Sequence, residues 1–119
     1  MSKNNNTIFS VEINDNTKKL MKQLGEEVEI ILKTVGEKAE GYAKTQCPVD
    51  TGRLRNSITH REDDGTVYVG SNVEYAADVE FIDRAHKNGK AHFLRDAMQD
   101  NLKEYKEIIE QGVAATVEK

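Results

Sequence analysis

Residues 20–48 of the chain read LMKQLGEEVEIILKTVGEKAEGYAKTQCP, and this stretch decides the fold more than any other. Apolar residues recur in it at steps of three and four, while lysine and glutamate occupy most positions between them. The spacing predicts one amphipathic helix of about 30 residues, which ends before Pro48 because proline disfavours the α conformation in the preceding residue. The predicted apolar stripe consists of Leu20, Leu24, Val28, Ile31, Val35, Ala39, Tyr42 and Ala43.

Three glycines, Gly25, Gly36 and Gly41, interrupt this helical pattern. Each costs up to ~1 kcal/mol relative to alanine inside a helix. They mark close packing, a bend or tolerated weak points, and the sequence leaves these alternatives open.

A strand is predicted on the N-terminal side of the helix, over residues 7–13. Phe9, Val11 and Ile13 alternate there with polar residues, which is the pattern of a half-buried strand. Residues 14–17 are capping residues for the helix. We expect residues 1–6, which are polar, to be disordered.

A β-hairpin is predicted on the C-terminal side. Residues 48–52 form a turn, and residues 53–61 follow as a strand with Leu54 and Ile58 on one face. Residues 62–65, with the favoured Asp-Gly pair, supply the hairpin turn, and residues 66–71 form the return strand.

The remainder of the chain is predicted to be mainly helical. A short helix lies within residues 72–81, residues 83–90 form a polar loop, and a last helix runs from Phe93 to about Gly112 with Glu104 on its solvated side. The predicted class is α+β: a long N-terminal helix and a C-terminal helix packed on a small antiparallel sheet that contains the hairpin.

Composition sets limits on size and function. The length of 119 residues fits one domain over residues 1–119, and the net charge of −4 argues against a nucleic-acid-binding domain. No apolar run approaches the roughly 20 residues of a membrane span. The single cysteine, Cys47, and the polar N-terminus lead us to expect a protein made in the cytoplasm.

Candidate catalytic and metal-binding groups are few. His60, His86 and His92, with Asp63 and Asp64, match no zinc spacing, so we expect solvated histidines.

A nucleophile site built from Cys47, His60 and Asp50 lacks any aligning pattern, and Cys47 is better explained as a core residue. No phosphate-binding glycine motif is present. We therefore expect no enzyme activity, no metal and no cofactor.

Three arginines, Arg53, Arg55 and Arg61, lie on the first predicted hairpin strand. Acidic residues close by in sequence favour a balanced, ion-paired surface. The alternative is that Arg53 and Arg55 contact a partner.

The segment AKTQCPVDTGRLRNSI at residues 43–58 resembles the signature of a family of tailed-phage tail components, named after the gene-ten product of coliphage HK-ninety-seven. VYVGS at 67–71, YAADVEF at 75–81 and HFLRDA at 92–97 resemble further family segments, in the same order. The resemblance covers about residues 35–100. Two departures lie near its end: Ile82-Asp83 replaces a Gly-Thr turn, and His92 occupies a position where proline is common.

The local chemistry of the motif residues favours a structural role, because Pro48 stops the helix and Gly52 permits the turn that follows. We therefore expect the motif residues to build the fold, with the assembly surface elsewhere. These residues are Pro48, Asp50, Thr51, Gly52, Leu54, Ser57, Tyr75, Ala76, Glu80, Phe93 and Leu94.

The resemblance also implies a function: a tail-completion or head–tail joining subunit of the virion neck, in a ring that is commonly hexameric. The implied partners are further copies of the chain, the tail-tube protein and the head connector. Neither a membrane nor a specific DNA sequence is implied, although genome DNA is expected to pass through the ring. The alternative is a small prophage-encoded module that binds a host protein.

Overall fold

The computed structural model describes residues 7–12, 19, 22–23, 25–49, 52–63, 65–82, 86 and 88–117. The strands are β1 (Thr7–Glu12), β2 (Thr59–Asp63) and β3 (Thr66–Ser71). The helices are α1 (Glu26–Gln46), α2 (Arg53–Ser57), α3 (Ala76–Phe81), α4 (Phe93–Gln99) and α5 (Leu102–Val117). The predicted α+β class is confirmed: a long helix and a C-terminal helix accompany a small antiparallel sheet with a hairpin.

Several predictions concern residues outside this description. They are the disorder of residues 1–6, the capping cluster at 14–17, the apolar positions Leu20 and Leu24, and the structural roles of Asp50 and Thr51.

The sheet has the order β1-β3-β2, and both pairings are antiparallel. Two residues, 64 and 65, connect β2 to β3, and Gly65 has a φ of 80°. A positive φ is what a two-residue hairpin turn requires. The predicted hairpin is therefore confirmed, as is the predicted N-terminal strand over its described part.

The prediction of one strand over residues 53–61 is wrong at its start, because Arg53–Ser57 is the helix α2. Gly52, with a φ of 86°, precedes it, and the Gly52 carbonyl accepts the Asn56 N–H at 2.9 Å. Leu54 and Ile58 are both buried, but they do not share a strand face as predicted, since a spacing of four residues suits a helical turn as well as one face of a strand.

The long helix α1 begins at Glu26, because Gly25 adopts a φ of 61°. It ends at Gln46, before Cys47 and Pro48, as predicted. Acidic residues in its first turn and Lys44 in its last turn complement the helix dipole. Its buried stripe contains Leu32, whereas the predicted Ile31 is only half-buried; the members are Val28, Leu32, Val35, Gly36, Ala39 and Ala43.

The predicted last helix is two helices, α4 and α5, which meet at Asp100 and Asn101. The Asn101 side-chain amide donates to the Ala97 carbonyl at 3.1 Å, while the Asn101 carbonyl accepts the Tyr105 N–H at 3.0 Å. Asparagine and aspartate favour such local bonds over helix continuation, which explains the break.

The predicted end of the last helix at Gly112 is also wrong, since α5 continues to Val117. A Cβ at Gly112 would lie 2.7 Å from the Ile31 side chain, so this glycine allows α5 to approach α1 closely. Glu104, which was predicted on the solvated side of the last helix, instead lies beside α1. It accepts a hydrogen bond from Tyr42 and lies 3.6 Å from the Lys38 Nζ.

The helices α1 and α4 pack on one side of the sheet, and α5 packs against α1. Residues opposite each other in neighbouring strands share a face, so Phe9, Val69 and His60 lie on the inner face, toward α1. The outer face carries, in the same way, Ile8, Gly70, Thr59, Tyr68 and Arg61. Among the described residues, no helix is long and apolar enough to cross a membrane.

Candidate functional site

The end of α1 is joined to the segment that precedes α4. The Lys90 N–H donates to the Gln46 carbonyl at 2.9 Å, and the Asn88 side-chain amide bonds both backbone groups of Val49. A Cβ at Gly89 would lie 2.4 Å from the Pro48 nitrogen, and Gly89 has a φ of 70°. Only glycine fits this turn, so the Pro48 motif segment is part of a packed corner.

Glu80 caps the start of α4 although it lies on another helix. Its side chain is fully buried, and its two carboxylate oxygens accept the N–H groups of Leu94 at 2.7 Å and Arg95 at 3.4 Å. Burial raises the pKa of this carboxyl above its ordinary value of 4.5, although the two N–H groups oppose the rise. The family resemblance had marked Glu80, but no local pattern in the sequence shows that it caps a distant helix.

His92 precedes α4 in a left-handed conformation, with a φ of 59°. Proline holds φ near about −65°. The departure at His92 from the family's common proline therefore coincides with a backbone conformation that proline cannot adopt. The other departure begins at Ile82, which is exposed, while Asp83 lies outside the described residues.

A chain of hydroxyl hydrogen bonds ties α2 to the end of β3. The Val73 N–H donates to the Ser71 Oγ at 3.1 Å, and the Ser71 and Ser57 Oγ atoms are 2.6 Å apart. The Ser57 Oγ donates to the Leu54 carbonyl at 2.6 Å. Because each hydroxyl has one proton, Ser71 is the donor to Ser57.

The aromatic and small motif residues lie in or beside the core. Ala76, Phe93 and Leu94 are fully buried, and Tyr75 is half-buried at the edge of the core. They contribute packing rather than an accessible reactive group.

The candidate partner contacts, Arg53 and Arg55, are both exposed. Arg53 makes two hydrogen bonds of 2.8 Å to Glu74, and its guanidinium lies 5.6 Å from the centre of the Tyr75 ring. Exposed ion pairs contribute little to stability.

The prediction of solvated histidines is wrong for His60 and His92, whose side chains are 17% and 18% exposed. The His60 Nδ1 lies 2.9 Å from Glu40 Oε1, and the His60 ring packs against Gly36 of α1. Burial raises the pKa of Glu40, but hydrogen bonds from His60 and Lys44 outweigh it and leave that pKa lowered. Within the described residues, no three His, Cys, Asp or Glu side chains cluster closely enough to hold a metal ion.

Cys47 lies in the core, as predicted, with 2% of its surface exposed. Burial raises the pKa of its thiol to about 11, which leaves it protonated near neutral pH. His60, which the nucleophile hypothesis had grouped with Cys47, pairs with Glu40.

The outer face of the sheet contains a hollow of about 330 Å³. Gly70 of the central strand lies between Ile8 on one neighbouring strand and Thr59 on the other. At one end the Arg61 guanidinium stacks 4.7 Å above the Tyr68 ring. A glycine inside a strand often marks a close approach by another molecule, and Gly70 was the signal that could have located this hollow.

Comparison with protein families gives a match over more than half of the chain. Residues 12–81, which are 70 of the 119, match the family described as "Bacteriophage HK97-gp10, putative tail-component". Searches of curated proteins and of solved structures found no match. The matched residues include the 48–58 and 75–81 motif segments, and a tail component has a structural role in the phage virion tail. The chain belongs to the HK97-gp10-like family of phage tail components.

Proposed function

We propose that this chain is a non-enzymatic assembly protein of the phage head–tail junction, a ring subunit that completes the tail or joins it to the head. The observation that carries the proposal is the family match over residues 12–81. The proposed partners are further copies of the chain, in a hexamer, together with the tail-tube and head-connector proteins. The proposed location is the neck end of the tail.

The edge strands of the sheet support an assembly role. Within the described part of the chain, β1 and β2 each pair with β3 alone, which leaves one side of each strand without a strand partner. Unpaired backbone groups at a sheet edge can bond to a neighbouring subunit. A contact between two different surfaces of identical subunits closes into a ring when the rotation between them allows it.

Charge and side-chain chemistry are consistent with this proposal. Six copies at −4 each carry −24, which disfavours adhesion of DNA that passes through the ring. Burial raises the pKa of the Cys47 thiol, and His60 is paired with Glu40. Both side chains therefore support the fold, which is consistent with a non-enzymatic role.

The test is electron microscopy of an induced lysate in which this gene is deleted from its phage. We expect full heads separated from tails, with normal virions restored when the wild-type gene is supplied in trans. Joined virions in normal yield would overturn the proposal. A pull-down that recovers one stoichiometric host protein and no phage structural protein would instead favour the host-binding module.

A further inference from the structure

The outer-face hollow is too small for a large cofactor and has the size of a side-chain socket. Its volume of about 330 Å³ lies at the low end of the roughly 300–1,000 Å³ of ligand pockets. Ile8 and the Tyr68 ring line its apolar part, and Ile8 is 45% exposed. Arg61 lies at its rim and adds a positive charge.

The same chain carries an apolar projection at the end of α3. Phe81 is 60% exposed and Ile82 is 43% exposed. The Phe81 ring packs against the Phe9 ring at a tilt of 39°, with 5.9 Å between the ring centres. We call Phe81 and Ile82 the knob.

The charges beside the knob and the hollow are complementary. Asp78 is exposed and lies three residues before Phe81, on the same face of α3. Arg61 is exposed at the rim of the hollow. A knob inserted into a hollow would therefore bring a carboxylate toward a guanidinium.

The knob and the hollow lie on opposite sides of β1. Phe9, which contacts the knob, and Ile8, which lines the hollow, are consecutive strand residues and so point to opposite faces. The knob of one copy is therefore remote from its own hollow.

We propose that the chain associates head to tail with itself, the Phe81–Ile82 knob of one copy filling the outer-face hollow of the next. The proposal rests on the proposed function as a ring subunit and assigns the surfaces of its subunit contact. Each copy in such a contact still offers one free knob or one free hollow, so association continues until a ring closes.

The test uses the full chain in analytical ultracentrifugation at loads up to about 1 mM. The wild type is expected to form species larger than a dimer as concentration rises. Phe81→Ser removes the aromatic side chain of the knob, and Thr59→Trp fills the hollow from an exposed wall position. Each variant alone is expected to associate at least about tenfold more weakly. Ile30→Ser, at a residue that is 64% exposed on α1, is the matched control and is expected to behave as wild type.

Mixing the two variants gives the sharpest result. Phe81→Ser retains a hollow and Thr59→Trp retains a knob, so an equimolar mixture is expected to form 1:1 heterodimers that grow no further. Charge exchange provides a second route: Arg61→Glu and Asp78→Arg should each weaken association, and the double variant should restore it.

Three results would overturn the inference: a wild type that stays a monomer or stops at a dimer, variants that associate as the wild type does, or a mixture without heterodimers. These failures leave the proposed function standing if gene deletion still separates heads from tails. Normal virions after deletion would overturn the proposed function whatever the ultracentrifuge shows.

Discussion

The inner and outer faces of the same sheet differ in their burial and in the contacts that they make. On the inner face, Val67 and Val69 are fully buried beneath the helices, and His60 bonds to Glu40 of α1. On the outer face, Gly70 leaves a hollow beside Ile8, which is almost half exposed. Alternate residues of β3 thus serve two purposes, because successive strand side chains point to opposite faces.

Because of this difference, substitutions on the two faces are expected to affect different properties, folding stability on one and self-association on the other. A change on the inner side removes contacts that the folded monomer needs. A change on the outer side leaves those contacts intact and alters what a neighbouring copy meets. A change at the knob also removes the packing of Phe81 on Phe9, which is a smaller loss than that of a buried side chain.

Two phenylalanines provide the largest expected contrast. Phe93 is fully buried, so Phe93→Ala should lower the free energy of unfolding by about 3–5 kcal/mol. Phe81 is 60% exposed, so Phe81→Ala should cost much less. Urea denaturation measures both, and equal losses would contradict the assignment of the two residues to core and knob.

Two glycines of α1 test the contact between helix and sheet. A Cβ at Gly36 would lie 2.6 Å from the His60 ring, so Gly36→Ala should destabilise the fold by about 1–3 kcal/mol. Gly41 is exposed with open space around it, so Gly41→Ala should stabilise the helix by up to about 1 kcal/mol. Thermal melting distinguishes the two, and a stabilising Gly36→Ala would refute the close contact at His60.

Glu80 predicts a dependence on pH. Because its folded pKa is raised above 4.5, the folded state holds more protons than the unfolded state between 4.5 and the raised pKa. The free energy of unfolding contributed by Glu80 therefore falls as pH rises through that window.

The comparison with Glu80→Gln isolates this contribution, since Glu40 and Asp96, whose pKa values are lowered, are present in both proteins. The free energy of unfolding of each protein is measured by urea denaturation at pH 4.5 and at pH 7. Relative to wild type, Glu80→Gln should be more stable at pH 7 than it is at pH 4.5. A constant difference between the two proteins would show that the buried carboxyl does not titrate in this way.

The smallest expected effect on stability is at the hollow. Thr59 is exposed on the outer face, so Thr59→Trp should change the free energy of unfolding by no more than about 0.5 kcal/mol. Its melting temperature should match that of wild type while its self-association weakens. A large loss of stability would mean that the hollow is part of the folding core.

The sequence predicted correctly those elements that are determined by neighbouring residues. The three- and four-residue spacing in α1 and the Asp-Gly turn before β3 each indicate one structure. Leu54 and Ile58 do not, since their spacing suits both a strand face and a helical turn, and Gly52 favours the turn. Gly112 is similarly ambiguous, because glycine is common at helix ends, whereas here it lies within α5 and lets that helix approach Ile31.

The Glu80 cap and the outer-face hollow were less predictable, because each is formed by residues from distant segments of the chain. The role of Glu80 depends on α4, which begins 13 residues later, and nothing local indicates that its carboxylate meets those N–H groups. The hollow requires three strands to bring Ile8, Gly70 and Thr59 together. Family resemblance marked Glu80 as a motif residue, but only the fold gives it a role.

The most direct test of the account is complementation of the gene deletion with charge variants of the two proposed contact surfaces. The measurement is the fraction of full heads joined to tails in electron micrographs of induced lysates, with wild type and Ile30→Ser as references. Arg61→Glu and Asp78→Arg should each lower the joined fraction, and the double variant should restore it. Joined virions at the wild-type level with both single variants would contradict the account.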